Sequence, residues 1–426
     1  QEAGAMLEDS YGNILSTDSQ AARDAYVDGV ERFLAAEHGA ETAFRRAVEA
    51  DGAFALGHVG IARSRLLMGD RPGAATAIAA ARGTSKGLSA REATHVGAIS
   101  HMVDGNVPAA YGAIRAHVQD FPRDAMIAQT CTGVFGLIGF SGRAGREAEQ
   151  LAFTTTLAPA YGDDWWFLGQ HAFAQGEVGQ LEAARDTIER ALEGNPRSAH
   201  NAHVSAHVFY ETGDTDRGYR YLREWWPDYD RGGALHGHTS WHLALWALAE
   251  GDAEAGWRYL DGNSTPAGSG APPLNILTDT VAFLHRANLS GFEVPAARWQ
   301  EISAYASTTF PNAGLAFADV HSALAHCMAG DADAFGRLTR EPAGPAGEIV
   351  IPVCAAFQAF ANRDWIGVEE NLCAVMSGHE RLGGSRAQRD LLEFTLAHAV
   401  RQQGRHKEAN RLIAMRRPRQ LKLATA

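Results

Sequence analysis

The stretch AQGEVGQLEAARDTIERALEGNP, residues 174–196, decides how the chain is read. A helix-compatible segment runs into a turn at Gly176. A second segment follows, in which Ala183, Ala184 and Ala191 allow close helix approach and Asn195-Pro196 ends the helix. AEHGAETAFRRAVEADGAF (36–54), GDRPGAATAIAAARG (69–83) and QGRHKEANRLIAMRR (403–417) have the same shape. Alternating β-branched runs are almost absent.

Working outward, comparable turns fall at Gly39, Gly69, Gly105, Gly142, Gly176, Gly213, Gly251, Gly291, Gly330, Asn362 and Gly404. Ten steps separate Gly39 from Gly404, a mean spacing of roughly 36 residues, close to the 34 of a tetratricopeptide helix–turn–helix unit. The expected fold is therefore all-α: one tetratricopeptide-like superhelix over 1–426, of about ten hairpins, curled around a central pocket. Each hairpin leaves an apolar face that only its neighbours can cover. The ends, 1–10 and 416–426, read as frayed. Two irregular connections, WPDYDRGGALHG (226–237) and DGNSTPAGSGAPPLN (261–275), read as loops flanking the pocket.

With a formal net charge of −12 and only three lysines (Lys86, Lys407, Lys422), the chain argues against a nucleic-acid or anionic-membrane partner. Cys131, Cys327, Cys354 and Cys373 form no CxxC pair, which suits a reducing cytoplasm. No apolar run is long enough for a transmembrane helix. The formal G-x-S-x-G match at 83–87 and the glycines of 139–145 lack the preceding strand that a nucleophile elbow or P-loop needs.

The next stretch, 198–252, holds six of 18 histidines, and His203/His207 and His238/His242 are spaced i, i+4. On a helix that spacing stacks two imidazoles on one face. Counting back about 9–12 residues from successive turns reaches His58, His95, Trp166, His203, His242, Asp279 and His321. First helices line the concave side of such arrays, so these residues are expected at one level of the inner wall. A tight curl would gather them around one cavity; an open array would spread them along a groove.

Histidine changes charge nearest neutral pH, so such a constellation suits general acid–base work. His203, His207, His242, Asp279 and His321 are the expected catalytic residues, with His203 and His242 exchanging the proton and Asp279 orienting. His58, Asp164, Trp166, His238, Trp241, Arg298 and Asp319 are the expected substrate contacts. The reaction would be hydrolysis, elimination or isomerisation of a small polar molecule. No organic cofactor motif is present. A divalent metal on His203, His207, His238 and His242 is the further option, since HxxxH on each of two adjacent helices is chemically adequate for zinc. The competing reading is a scaffold that binds a peptide or protein in its concave groove, although such grooves commonly carry Lys, Arg and Asn clamps.

The words NAHVSAHVFYETGD (201–214), HTSWHLALWALAEGD (238–252), NILTDTVAFLHRANLSGFEVPAARWQEI (275–302) and FADVHSALAHCMAGD (317–331) resemble the tetratricopeptide repeat protein 38 family. The resemblance implies a helical-repeat fold. It also marks His203, His207, Trp241, His242, Asp279, Arg298, Trp299, Asp319 and His321 as the motif positions. Ala318 departs from the Asn expected there, which weakens the case for Asp319.

Overall fold

A computed structural model describes residues 6–84, 87–340 and 343–416. They form 22 α-helices joined by short turns. The N-terminal half pairs α1 (Gln20–Ala35) with α2 (Ala40–Ala50), α3 (Ala55–Leu67) with α4 (Arg71–Gly83), and α5 (Ala90–Val103) with α6 (Val107–Asp120). The fourth unit is irregular. Its first helix, α7 (Ala125–Ala128), is a single turn, and a loop leads to α8 (Arg146–Tyr161).

Regular pairing then resumes with α9 (Trp165–Glu177) and α10 (Leu181–Gly194), and with α11 (Ala199–Thr212) and α12 (Thr215–Trp225). Next come α13 (His236–Ala249) with α14 (Ala253–Leu260), and α15 (Pro273–Leu289) with α16 (Ala296–Thr309). The last three pairs are α17 (Ala316–Ala329) with α18 (Ala332–Arg340), α19 (Gly347–Ala361) with α20 (Trp365–Cys373), and α21 (Arg386–Gln402) with α22 (His406–Arg416). The chain is an all-helical, tetratricopeptide-like superhelix.

The turns work as the sequence pattern requires. At Gly251 the backbone has φ +82°, and Asp252 behind it accepts a hydrogen bond from Ala255 N to cap α14. Gly69-Asp70 repeats the device, with Asp70 capping α4 through Gly73 N. One turn was misplaced: Gly176 lies inside α9, and Gly179, at φ +84°, makes the reversal.

Helix α13 buries every residue from His236 to Leu248, and α15 every residue from Asn275 to Ala287. A helix buried along its whole length must be enclosed on all sides. The curl encloses α15, since α21 packs on it and on α11 as well as on its chain neighbours, whereas α13 is enclosed by α11, α12, α14 and α15. Arg286 on α15 reaches Ala387 O and Tyr210 Oη, and Tyr210 in turn donates to Asp390 on α21 (2.9 Å). Farther out, Arg146 donates to Glu380 O and Gly384 O, Arg389 pairs with Glu147, and Glu177 accepts from Arg386 N. Inner helices of this part of the array therefore meet one another rather than lining a wide lumen.

The loop over 226–237 places Tyr229 against the N-terminal hairpin, its hydroxyl bonded to Ala36 O. In the 261–275 loop, Ser264 Oγ donates to Gly237 O and Ser264 O accepts from Thr280 Oγ1, tying α13 to α15. Of the ends read as frayed, residues 1–5 and 417–426 lie outside the described residues. Glu8 bridges to Ile14. Ser85 and Lys86 of the 83–87 stretch also lie outside them.

Candidate functional site

Ser198 caps α11 by accepting from Asn201 N, and Asn201 Nδ2 donates to Trp165 O and Ala191 O. These bonds fix α11 against the preceding hairpin and set the rotation of its histidine face. His203 and His207 then lie one turn apart, with their Nε2 atoms 2.8 Å from each other. Helix α13 presents His238 and His242 from the next hairpin. Across the two helices, ring centroids of His203 and His238 are 4.8 Å apart, and those of His207 and His242 4.6 Å. One nitrogen from each of the four rings falls in a group whose members all lie within 4.8 Å of one another.

From α15, Asp279 Oδ2 accepts from His238 Nδ1 at 2.8 Å. Trp241 stacks on His238 with centroids 5.1 Å apart and planes 15° apart. Phe173 covers His207 and His203 from α9. All four imidazoles and Asp279 are buried, His242 at 1% exposure and His203, the most open, at 6%. Burial, the largest cause, and then the neighbouring imidazoles hold His203 and His242 well below the usual histidine range, so both rings are neutral. Burial raises the Asp279 carboxyl, and the hydrogen-bonded His238 opposes that rise.

Six expected site residues thus come together: His203, His207, His238, Trp241, His242 and Asp279. The others do not. His321 turns its Nδ1 to Phe317 O (2.7 Å) and lines a separate, narrow recess with Phe317, Phe357 and Leu392. Trp166 is fully buried among Tyr11, Tyr161 and Phe167, because an aromatic at the start of α9 fills the gap to the N-terminal segment. Asp164 is the α9 cap, accepting from Phe167 N at 2.8 Å. His58 contacts Gly52 O at the edge of its own hairpin (3.0 Å). Arg298 sits on the outer helix α16, where Asp261 takes it in a two-pronged pair and Trp257 lies beneath it. Asp319 accepts from Gly314 N (2.9 Å). Position relative to the turn fixes a level along the helix but not the side it faces.

A second polar cluster escaped the sequence reading. Asp124 accepts from Arg91 at 2.7 Å, His95 at 2.9 Å and His117 at 3.1 Å, all buried. His95 had been placed on the inner wall, and the carboxylate that holds it comes from the cap of α7, outside any repeat position.

No family model matches the chain. Among solved structures it is similar to the human IFIT1 dimer with m7Gppp-AAAA, at 11% identity and TM-score 0.44, covering 97% of this chain and 96% of that one. The human IFIT1 dimer with PPP-AAAA is similar at 14% identity and TM-score 0.42 (94% and 89% covered). Yeast Tom70 is similar at 13% identity and TM-score 0.36, with 94% and 85% covered.

The expected partner, a small polar molecule from the His/Asp pocket with nucleic acid excluded by the acidic balance, does not stand. The IFIT1 structures hold m7Gppp-AAAA and PPP-AAAA. Net charge is a property of the whole surface and does not fix the character of one binding face. No helix among the described residues is long and apolar enough to cross a membrane.

Proposed function

We propose that this chain is a helical-repeat scaffold that binds a protein partner, rather than an acid–base enzyme. The observation that carries the reading is the enclosed interior. The imidazoles that would move protons are packed between α11, α13 and α15, at 6% exposure or less. A general base must reach the proton it takes, directly or through one water. What the array offers to a partner is its outer hairpin faces and turns. Several aliphatic side chains are exposed on the array, among them Val107 (49% exposed), Ile351 (50%) and Ile366 (60%). The words shared with the tetratricopeptide repeat protein 38 family support membership of it. Four unpaired thiols, Cys131, Cys327, Cys354 and Cys373, support work in the cytoplasm.

Two measurements test the reading. Diethyl pyrocarbonate should modify the exposed His38 and His406 in the folded chain while sparing His203 and His242. Equal rates at all four would restore the enzyme reading. A photo-reactive residue placed at Val107, Ile351 or Ile366 in cells should yield a discrete protein adduct from at least one position. Adducts to RNA instead would change the partner class, and none from any of the three would end the scaffold proposal.

A further inference from the structure

Four imidazoles from two consecutive hairpins converge, and Asp279 hydrogen-bonds one of them, His238. Buried polar groups are ordinarily paired, and each exception asks for an explanation. His242 Nε2 is such an exception: it is buried and has no hydrogen-bond partner. His203 and His207 point Nε2 at Nε2, an arrangement in which one ring must spend a proton on the other.

We propose that His203, His207, His238 and His242 hold one zinc-class divalent ion, each through one ring nitrogen. The inference stands on the donor geometry and does not depend on the scaffold reading. Metal–nitrogen bonds of about 2.0–2.1 Å in a tetrahedral site put donor atoms about 3.3 Å apart. The four donors all lie within 4.8 Å of one another and the Nε2 atoms of His203 and His207 are 2.8 Å apart, so the rings need shift by less than about 1 Å each. The i, i+4 spacing on each helix supplies two donors one turn apart, and the α11–α13 contact brings the pairs face to face.

The surroundings fit a metal ligand set. Asp279 binds Nδ1 of His238, the carboxylate–histidine arrangement that fixes a ligand ring and leaves its other nitrogen for the ion. Asp279 is thus a positioning residue. Trp241 and Phe173 wall the group with apolar rings. Four imidazoles without a thiolate suit zinc and related borderline ions better than soft copper(I). Four protein ligands leave no open position, which is the pattern of a structural site. The ion would cross-link consecutive hairpins, the interface on which a repeat array depends.

The experiment uses the full chain without a histidine tag, purified in the absence of chelators. Elemental analysis should find about one zinc per chain, and X-ray absorption a first shell of nitrogen alone at about 2.0 Å. A strong chelator should lower the melting temperature, and added zinc should restore it. Asp279→Asn should keep the fold and weaken zinc binding about 10- to 100-fold. His242→Ala should lose the ion. If that variant does not fold, cobalt loaded into the chelated wild-type chain decides the matter by the intense visible absorption of a four-coordinate nitrogen site. Folded chain that takes up no stoichiometric zinc or cobalt, or a folded His242→Ala variant that keeps full zinc, would overturn the proposal.

Discussion

Asp124 meets Arg91, His95 and His117 with one oxygen, and its carboxyl is held well below the usual range although burial, the largest cause, pushes the other way. Removing it would take the nearer carboxylate from the buried Arg91 guanidinium and leave it only Glu92, at 4.0 Å. Asp124→Ala should therefore cost about 3–5 kcal/mol of stability, read as a lower midpoint in urea unfolding. A loss well under 1 kcal/mol would contradict this account. His285 makes the opposite kind of site. It bonds Thr395 Oγ1 at 2.8 Å, and burial first, then His398 and Arg286, push its ring down to about 3. The unfolded ring takes a proton near pH 6.5 and the folded one does not. Stability from this group is thus lost as pH falls below 6.5, by about 1.4 kcal/mol per pH unit, until the folded ring protonates. His285→Gln, which can still bond Thr395, should flatten the pH dependence of stability by one proton between pH 6 and 4. Parallel curves for the two proteins would refute the assignment.

Among elements, the turns were the most legible. Gly-Asp pairs mark them because glycine takes the left-handed backbone and aspartate caps the next helix. Where glycine is missing the same geometry is kept under strain: Arg363 sits at φ +58° before the capping Asp364. Arg363→Gly should relieve that strain and stabilise by about 0.5–1 kcal/mol, seen as a raised unfolding midpoint. A lowered midpoint would show that the arginine side chain contributes more than its backbone costs. In α9 the turn expected at Gly176 falls three residues later, at Gly179, which alone of the two has positive φ. The reading also missed the fourth unit, whose first helix is one turn long. Degenerate repeats carry no marker for a shortened helix.

For the molecule as a whole, contacts between distant segments decide how the array behaves. Arg146, fully buried, donates to the carbonyls of Glu380 and Gly384, more than two hundred residues away. Methionine there would fill much of the same volume but remove both charge-assisted hydrogen bonds, leaving Glu380 O with Gly383 N and Gly384 O with Arg389 as remaining donors. Arg146→Met should destabilise by about 2–4 kcal/mol. Hydrogen exchange should speed up in α21 together with α8, because each braces the other. Faster exchange confined to α8 would mean that the array unfolds piecewise, as an open row of repeats does.

The sequence by itself determined the all-helical class, the hairpin period and the two i, i+4 histidine pairs, because these follow from local periodicity and turn chemistry. Tertiary structure decided the rest. It chose which imidazoles face one another, turned His321, Arg298 and Trp166 away from them, and packed α21 against α15 and α11. A small change in the angle between successive hairpins, repeated along the array, sets the curl, and no residue spacing encodes that sum.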